Sequence, residues 1–345
     1  MRKTSKIHNL PDSGKRRDRL ALLTKINLAA LLLLCLLETF VAERSWLTIL
    51  LLYLPQHWIG VPGAALALWA LARKQPKLLL WNMLGLAFFV FYFLGFNIPL
   101  RKGSTPAGPR LRVMTYNINY GSRGAAQIIK VVRAARPDVL CLQETRAYQK
   151  WPDPVPELQR LLPDWHMARG SEVTTLSRFP IVAQRTHAMP IKTGRVILET
   201  QIAVKKRRFS VFNVHMSTAS SGANYAESRL RQMFGLPIYA SSTADIRRRQ
   251  TKILMSVTSK VSGSQIVMGD FNNPPRGLVY RELTGRFHDA FHAAGWGWGY
   301  TFRADLPVLR IDYIFLGPGI RASRSFVPAM SASDHRPLVA EISLP

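Results

Sequence analysis

Hydrophobic positions follow two regimes along the chain. Up to about residue 100 they come in long blocks. Ile26–Ala42 is apolar except for Asn27, Glu38 and Thr39. Trp46–Ala72 is long enough to span a bilayer but carries Pro55, Gln56, His57 and Pro62, and Leu78–Leu100 is broken only by Asn82 and Asn97. Runs near twenty residues match the hydrocarbon thickness of a membrane. The pattern predicts three transmembrane helices, with two or four as the alternatives. A cleaved signal peptide fits the first run less well, because two more runs follow and no small-residue cleavage site ends it.

Past residue 110 the blocks shorten. Leu111–Ile118 alternates and predicts a strand. Ala125–Ala135 predicts a helix that stops before Pro137. Val139–Leu142 predicts a buried strand closed by Gln143-Glu144-Thr145. "TTLSRFPI" and "RVILETQIAV" predict strands, Lys205–Arg208 a hairpin tip and "FSVFNVHMS" the return strand. A helix is expected over about Asp245–Lys260, followed by strands in "QIVMGDFN", "RIDYIFL" and "LVAEISL". Strands outnumber helices and adjoin by short turns. That favours an α/β sandwich of mixed sheets over a purely parallel doubly wound sheet. The organisation read from the pattern is a basic tail over 1–25, an all-α transmembrane region over 26–100, a Gly/Ser/Pro linker over 101–110 and a globular domain over 111–345. A fragment starting near Gly103 is expected to fold alone.

Charge adds an orientation. The formal net charge is +27, of which +8 lies in residues 1–100 and +19 beyond them. So basic a chain attracts anionic partners such as nucleic acid, anionic lipid or phosphate esters. The tail is strongly positive, and the loop after the second run carries Arg73, Lys74 and Lys77. Glu43-Arg44-Ser45, between the first two runs, is neutral. Short basic loops stay cytoplasmic. Three crossings then leave residue 101 onward outside the cytoplasm, in a multi-pass protein of the inner membrane. Glu38 reads as an interfacial residue near the outer end of the first run rather than as an intramembrane acid with a function. Two cysteines, Cys35 and Cys141, make no disulfide framework.

Candidate chemistry gathers at the ends of the expected strands. Asn117, Glu144, Asn213, His215, Asp270, Asn272, Asp312, Asp334 and His335 each follow or close an apolar run. Any one of them alone reads as a turn residue, a satisfied core histidine or a paired buried acid. As a set they supply carboxylates, imidazoles and amides from six strand ends. Carboxylate oxygen suits a hard divalent cation. Acid and base groups serve water attack and leaving-group protonation. Amide and imidazolium donors stabilise charge on phosphate oxygens.

In order along the chain, "VMTYNI", "DVLCLQET", "FNVHMS", "VMGDFNNPP", "RIDYIFL" and "SDHRPLVAEI" resemble the motifs of the endonuclease/exonuclease/phosphatase superfamily, over roughly residues 110–344. "LSRFPI" is a secondary match. The resemblance implies the DNase I-like fold, a four-layer sandwich of two mixed β-sheets flanked by helices. It implies a hydrolase of phosphoester bonds that uses Mg²⁺, with Mn²⁺ as the other candidate. Glu144 would bind the metal beside Asn117, and Asp334 would assist. Asp270 would position or deprotonate water, and His335 would contact the phosphate or serve as base, with Asp312 fixing its tautomer. The choice of base between Asp270 and His335 stays open. His215 would serve the leaving-group side. Asn272 would hold a phosphate oxygen, with Asn213 as a further substrate contact. Of the basic runs Lys205–Arg208 and Arg247–Arg249, which either engage phosphates or stay as solvated charge, Arg249 is the expected substrate contact.

The "GDFN-x-AH" continuation of abasic-site endonucleases is absent. "GWGWGYTFRADLPVLRIDYIF" resembles the corresponding segment of bacterial membrane-associated members. Trp296 and Trp298 could stack on a base, enter a lipid interface or simply pack. The expected substrate is a phosphoester in nucleic acid or a phospholipid headgroup, with the lipid bilayer as a second partner and no obligate protein partner. The competing reading is a catalytically silent, membrane-bound binding module of the same fold.

Overall fold

The computed structural model describes residues 13–100, 108–189, 194–218 and 229–345. Residues 1–12 of the basic tail and 101–107 of the expected linker lie outside the described residues. The chain divides into two compact units. One holds the residues through Leu37 together with Gln56–Leu94, and the other holds Glu38–Pro55 with Gly95–Pro345.

The first unit is helical. Its helices are Ser13–Leu36, Val61–Ala72 and Pro76–Phe88, the last continuing as a π-turn over Phe89–Phe93. Pro62 and Pro76 sit in the first turns of theirs, where a missing N–H costs nothing. Asn82 is buried and its Nδ2 donates to Thr24 Oγ1 at 3.0 Å and to the Leu78 carbonyl at 2.8 Å, which satisfies both of its N–H groups inside an apolar bundle. By length and composition, Arg19–Arg44 and Pro76–Phe93 could cross a membrane. A third span exists only if the broken run from Trp46 to Ala72 counts as one.

That broken run differs from the expectation of one continuous helix. Its first part, helix Trp46–Tyr53, ends at Leu54, whose extended backbone (φ −70°, ψ 147°) precedes Pro55. A residue before proline is pushed out of the helical region. The third run also ends early as a helix, at Phe93. Asn97 then donates its amide to the carbonyls of Gly295, Phe291 and His292 at 2.6, 3.0 and 3.1 Å. Those contacts make the end of the run part of the globular unit.

Among the described residues twelve strands build that unit: β1 (Arg110–Asn117), β2 (Val139–Gln143), β3 (His166–Arg169), β4 (Val173–Ser177), β5 (Ile181–Ala188), β6 (Val196–Val204), β7 (Arg207–His215), β8 (Ser264–Asp270), β9 (His288–Asp289), β10 (Asp312–Leu316), β11 (Arg321–Phe326) and β12 (Leu338–Ser343). They form two six-stranded sheets, ordered β11-β12-β1-β2-β4-β3 and β5-β6-β7-β8-β10-β9. Each sheet is antiparallel except at one central pair, β1/β2 in the first and β7/β8 in the second.

Alternation along the central strands explains the layers. Val113, Val139, Cys141, Ile266, Met268 and Ile314 point into the core between the sheets. Met114, Tyr116, Leu140 and Leu142 pack under helix Ala125–Ala135. Phe212, Val214, Val267, Tyr313 and Phe315 pack under the helices on the opposite side. Strands covered on both faces carry near-continuous apolar runs. The result is helix, sheet, sheet, helix, the four-layer α/β sandwich that the strand pattern and the motifs predict. Lys205 and Lys206 form the two-residue turn between β6 and β7, with Lys205 at φ 54°.

Candidate active site

Strand register assembles the site. β7 and β8 are parallel, and their last residues, His215 and Asp270, are register partners. β10 runs antiparallel on the other side of β8, and its first residue, Asp312, stands opposite Asp270. Three strands of one sheet therefore present His215, Asp270 and Asp312 in a row. In the other sheet, Asn117 ends β1 opposite Gln143, and Glu144 follows directly. Gly269 makes the row possible. At φ 154° its position would put a Cβ 1.8 Å from the Val214 carbonyl oxygen, so no other residue fits before Asp270.

Asn117 joins the sheets. Its amide nitrogen donates to Glu144 Oε1 at 3.1 Å and to Asp270 Oδ2 at 3.0 Å, and its Oδ1 accepts from the Asn119 N–H at 3.0 Å. His215 is fully buried, with Nε2 at 3.7 Å from both Glu144 Oε1 and Asp270 Oδ2. His335 Nδ1 lies 2.9 Å from Asp312 Oδ2, while its Nε2 faces Asp270 Oδ2 at 3.8 Å. Asp270 Oδ1 accepts the Asn272 N–H at 2.8 Å. Glu144 and Asn272 both adopt left-handed backbone, at φ 58° and 48°. Non-glycine residues seldom sit there, and such positions concentrate at functional sites.

The electrostatics follow from crowding charge in a buried place. Burial pushes Glu144 up and the neighbouring Asp270 adds to this, opposed by His215 and by the Asn117 hydrogen bond. Burial opposes an imidazolium at His335, but Asp312 and Asp270 outweigh it and raise the ring to about 10. Burial also pushes the Asp312 carboxyl up, against the pull of His335.

Glu172, outside the recognised motifs, and Thr301 and Phe302, in the Trp-rich segment, also join the site. Glu172 Oε1 lies 3.3 Å from His215 Nδ1 and 3.3 Å from Arg195 Nη1. Burial alone would raise its carboxyl, yet His215 and Arg195 bring it down to about 2. Thr301 Oγ1 accepts the N–H of Asp312 at 3.3 Å, and the Phe302 ring lies 4.9 Å from the His335 ring.

Other expected site residues stand apart. Asn213 is fully buried and locks the sheets together. It donates to the Leu142 and Thr174 carbonyls and accepts from Gln143 Nε2 at 2.8 Å, so its amide is spent on the fold. Arg249 is exposed on helix Arg229–Ser259, whereas Arg247, two residues earlier, is buried. Asp334 is partly exposed and accepts from Ser333 Oγ at 3.1 Å. It acts on His335 by charge but makes no hydrogen bond to Glu144 or Asp270. Trp296 and Trp298 are exposed, and both meet the Phe96 ring edge-on, at 5.6 and 5.0 Å.

The donor set suits a cation. Asp270, Asp312 and His335 each bring a ligand-capable atom within 4.8 Å of the others. Two of the three are engaged with each other through Nδ1 of His335. Glu144 and Asp270, two carboxylates on one amide donor, are the freer hard-oxygen pair. Among the described residues Asp312 Oδ1 and His215 Nε2 are buried without a hydrogen-bond partner, whereas Glu172 Oε1 and His215 Nδ1 face each other as an ion pair. Buried polar atoms left in that state point to a missing ligand or ion.

The Endonuclease/Exonuclease/phosphatase family model matches residues 114–335. The chain belongs to that family. Solved structures carry the same fold. An endonuclease/exonuclease/phosphatase from Bacteroides vulgatus is 16% identical, with a TM-score of 0.55 over 69% of this chain and all of that one. A humanised D. rerio TDP2 is 17% identical, with a TM-score of 0.52 over 68% of this chain and 99% of that one. A Bacteroides thetaiotaomicron mannosyl-6-phosphatase is 17% identical, with a TM-score of 0.53 over 68% of this chain and all of that one. No curated protein sequence matches the chain. The likeness defines a phosphoesterase fold, and fold alone does not choose a substrate.

Proposed function

We propose that this chain is a divalent-metal-dependent phosphoesterase tethered to a membrane, acting on phosphodiester or phosphomonoester bonds of a nucleic acid or a lipid headgroup. The observation that carries the reading is the row His215–Asp270–Asp312, joined through Asn117 to Glu144 and through Asp312 to His335. A silent binding module has no need for this many buried, mutually repelling acids.

Glu144 and Asp270 would hold the cation, with Asn117 keeping their side chains together. Mg²⁺ takes one or two carboxylates and completes its shell with water and substrate phosphate. When bound, it supplies Lewis-acid charge to a phosphoryl oxygen. Asp270 orients the attacking water and takes its proton. His335, held as an imidazolium by its two acidic neighbours, donates from Nε2 to a phosphoryl oxygen. Asp312 accepts the Nδ1–H and so holds the ring with Nε2–H toward the phosphate. His215, backed by Glu172, faces the leaving-group side. Asn272 serves through its backbone N–H, which orients Asp270. Its side-chain amide donates to the Met216 carbonyl at 3.0 Å and keeps one hydrogen for a phosphate oxygen.

The apolar helices support the tether, and the basic tail and loop support a catalytic unit outside the cytoplasm. Exposed Trp296 and Trp298 supply flat apolar surface that suits either a nucleobase or a lipid interface. The test is turnover of bis-p-nitrophenyl phosphate and p-nitrophenyl phosphate by the detergent-solubilised chain, with and without Mg²⁺. Metal-dependent release is expected. A chain that binds Mg²⁺ but releases no p-nitrophenol from either compound would favour the silent module. DNA, RNA, sphingomyelin and phosphoinositides then separate the substrate classes.

A further inference from the structure

We infer that Glu43 and Tyr53, on the segment Glu38–Pro55, are positioning residues of the active site. The inference rests on the phosphoesterase reading above. Glu38–Pro55 belongs to the same compact unit as the catalytic residues. Its sequence reads as a loop and the start of a membrane run, yet its polar groups close on the strand end that carries Asp270.

Glu43 is buried to 3% exposure. Its Oε1 accepts from Arg247 Nη2 at 3.0 Å, and its Oε2 accepts from Asn273 Nδ2 and from the Leu278 N–H, both at 2.8 Å. Tyr53 brings its hydroxyl to 2.9 Å from the Asn272 carbonyl oxygen and 3.1 Å from Glu43 Oε1. The same hydroxyl accepts from Asn273 Nδ2 at 3.2 Å. Arg247 stacks over the Tyr53 ring at 5.3 Å and donates to the Ser217 carbonyl at 3.2 Å.

Asn272 needs this support. Its backbone is left-handed, and its N–H holds Asp270 Oδ1. Tyr53 fixes the carbonyl of the same residue, and Glu43 fixes the side chain of the next. Rotating the Asn272–Asn273 peptide would release the N–H that orients Asp270. Neither residue has an atom in hydrogen-bond reach of Asp270, His335 or Glu144, so both act through the loop. Glutamine cannot replace Glu43. Both carboxylate oxygens face donors, and a carboxamide would turn its NH₂ toward at least one of them.

The experiment uses the full chain in detergent and compares Tyr53→Phe, Glu43→Gln and, as a control on the same segment, Leu47→Ala. Leu47 is half exposed and makes none of these contacts. Misplacing a catalytic group by about 1 Å costs on the order of 100-fold. Tyr53→Phe is therefore expected to lower kcat on bis-p-nitrophenyl phosphate by about 10- to 100-fold, with KM within about twofold. Leu47→Ala should match the unsubstituted chain. Hydrogen exchange of the peptide spanning 266–278 is read in parallel. Tyr53→Phe should speed exchange there and leave the peptides of β1, β2 and β12 unchanged. Should Glu43→Gln fail to fold, Tyr53→Phe decides. Unchanged kcat together with unchanged exchange overturns the inference, as does a loss spread evenly over all peptides. If the unsubstituted chain turns nothing over, the phosphoesterase reading falls, and local exchange alone decides whether Tyr53 and Glu43 hold the loop.

Discussion

His335 Nδ1 lies 2.9 Å from Asp312 Oδ2, and this bond selects the ring nitrogen that faces the rest of the site. With Nδ1–H given to Asp312, Nε2 turns toward Asp270 at 3.8 Å. The partner of one ring nitrogen fixes where the other one points. Asp312 is fully buried, so its charge reaches His335 with little screening from water.

Asp312→Asn and His335→Ala should accordingly behave as one lesion. Each is expected to lower kcat/KM by about 10²–10⁴-fold with circular dichroism unchanged. Groups that act as a unit are strongly non-additive. The double variant should be little worse than His335→Ala. Losses that multiply would make Asp312 a structural acid at the start of β10.

Glu144→Gln tests the other end of the site. Glu144 shares one amide donor with Asp270 and carries the charge that a cation needs. Even outer-shell partners are worth about 10–100-fold in metal affinity. The variant should need at least about tenfold more Mg²⁺ for half-maximal turnover. An unchanged Mg²⁺ titration would remove Glu144 from the metal site.

Part of this candidate centre is legible in the sequence because three of its residues close apolar runs. Asn117, His215 and Asp270 are the last residues of β1, β7 and β8, and a polar group directly after a buried run stands out. Glu172 does not. It precedes β4 within "GSEVTTLS", and only the fold brings it against His215. Arg249, expected as a substrate contact, stands on the open face of its helix, and periodicity buries its neighbour Arg247 instead. Thr243, Arg247, Gln250, Leu254 and Thr258 recur every three to four residues and are all buried, which leaves Arg249 on the open face. Glu43 was illegible for a different reason. Its partners Arg247, Asn273 and Leu278 lie more than 200 residues away, beyond the reach of any local pattern.

Glu172 makes a pH prediction with a definite sign. Its folded carboxyl titrates at about 2 against an ordinary 4.5. A depressed carboxyl stabilises the fold above the unfolded value and loses that contribution as pH falls through the folded value. At one pKa unit per 1.36 kcal/mol, the contribution at neutral pH is about 3 kcal/mol. Glu172→Gln should lower stability by that order at neutral pH, and by progressively less between pH 4.5 and 2. Urea titrations of both chains across that window check this. A constant difference would mean that the carboxylate charge is not what stabilises the fold.

The partnership of Glu43 with Arg247 changes what a truncated chain should do. A fragment starting near Gly103 removes both the carboxylate that pairs with Arg247 and the Tyr53 ring that covers it. Removing one partner of a buried ion pair costs about 3–5 kcal/mol when the other charge stays buried alone. The same substitution should therefore differ in size with context. In the full chain, Arg247→Met strands Glu43 and should destabilise by about 3–5 kcal/mol. In the fragment the pair and its cover are already gone, so Arg247→Met should shift the melting temperature far less. Thermal unfolding of the four proteins, each against its own parent, reads the two shifts directly. Equal losses in both contexts would show that Arg247 is held by groups other than Glu43.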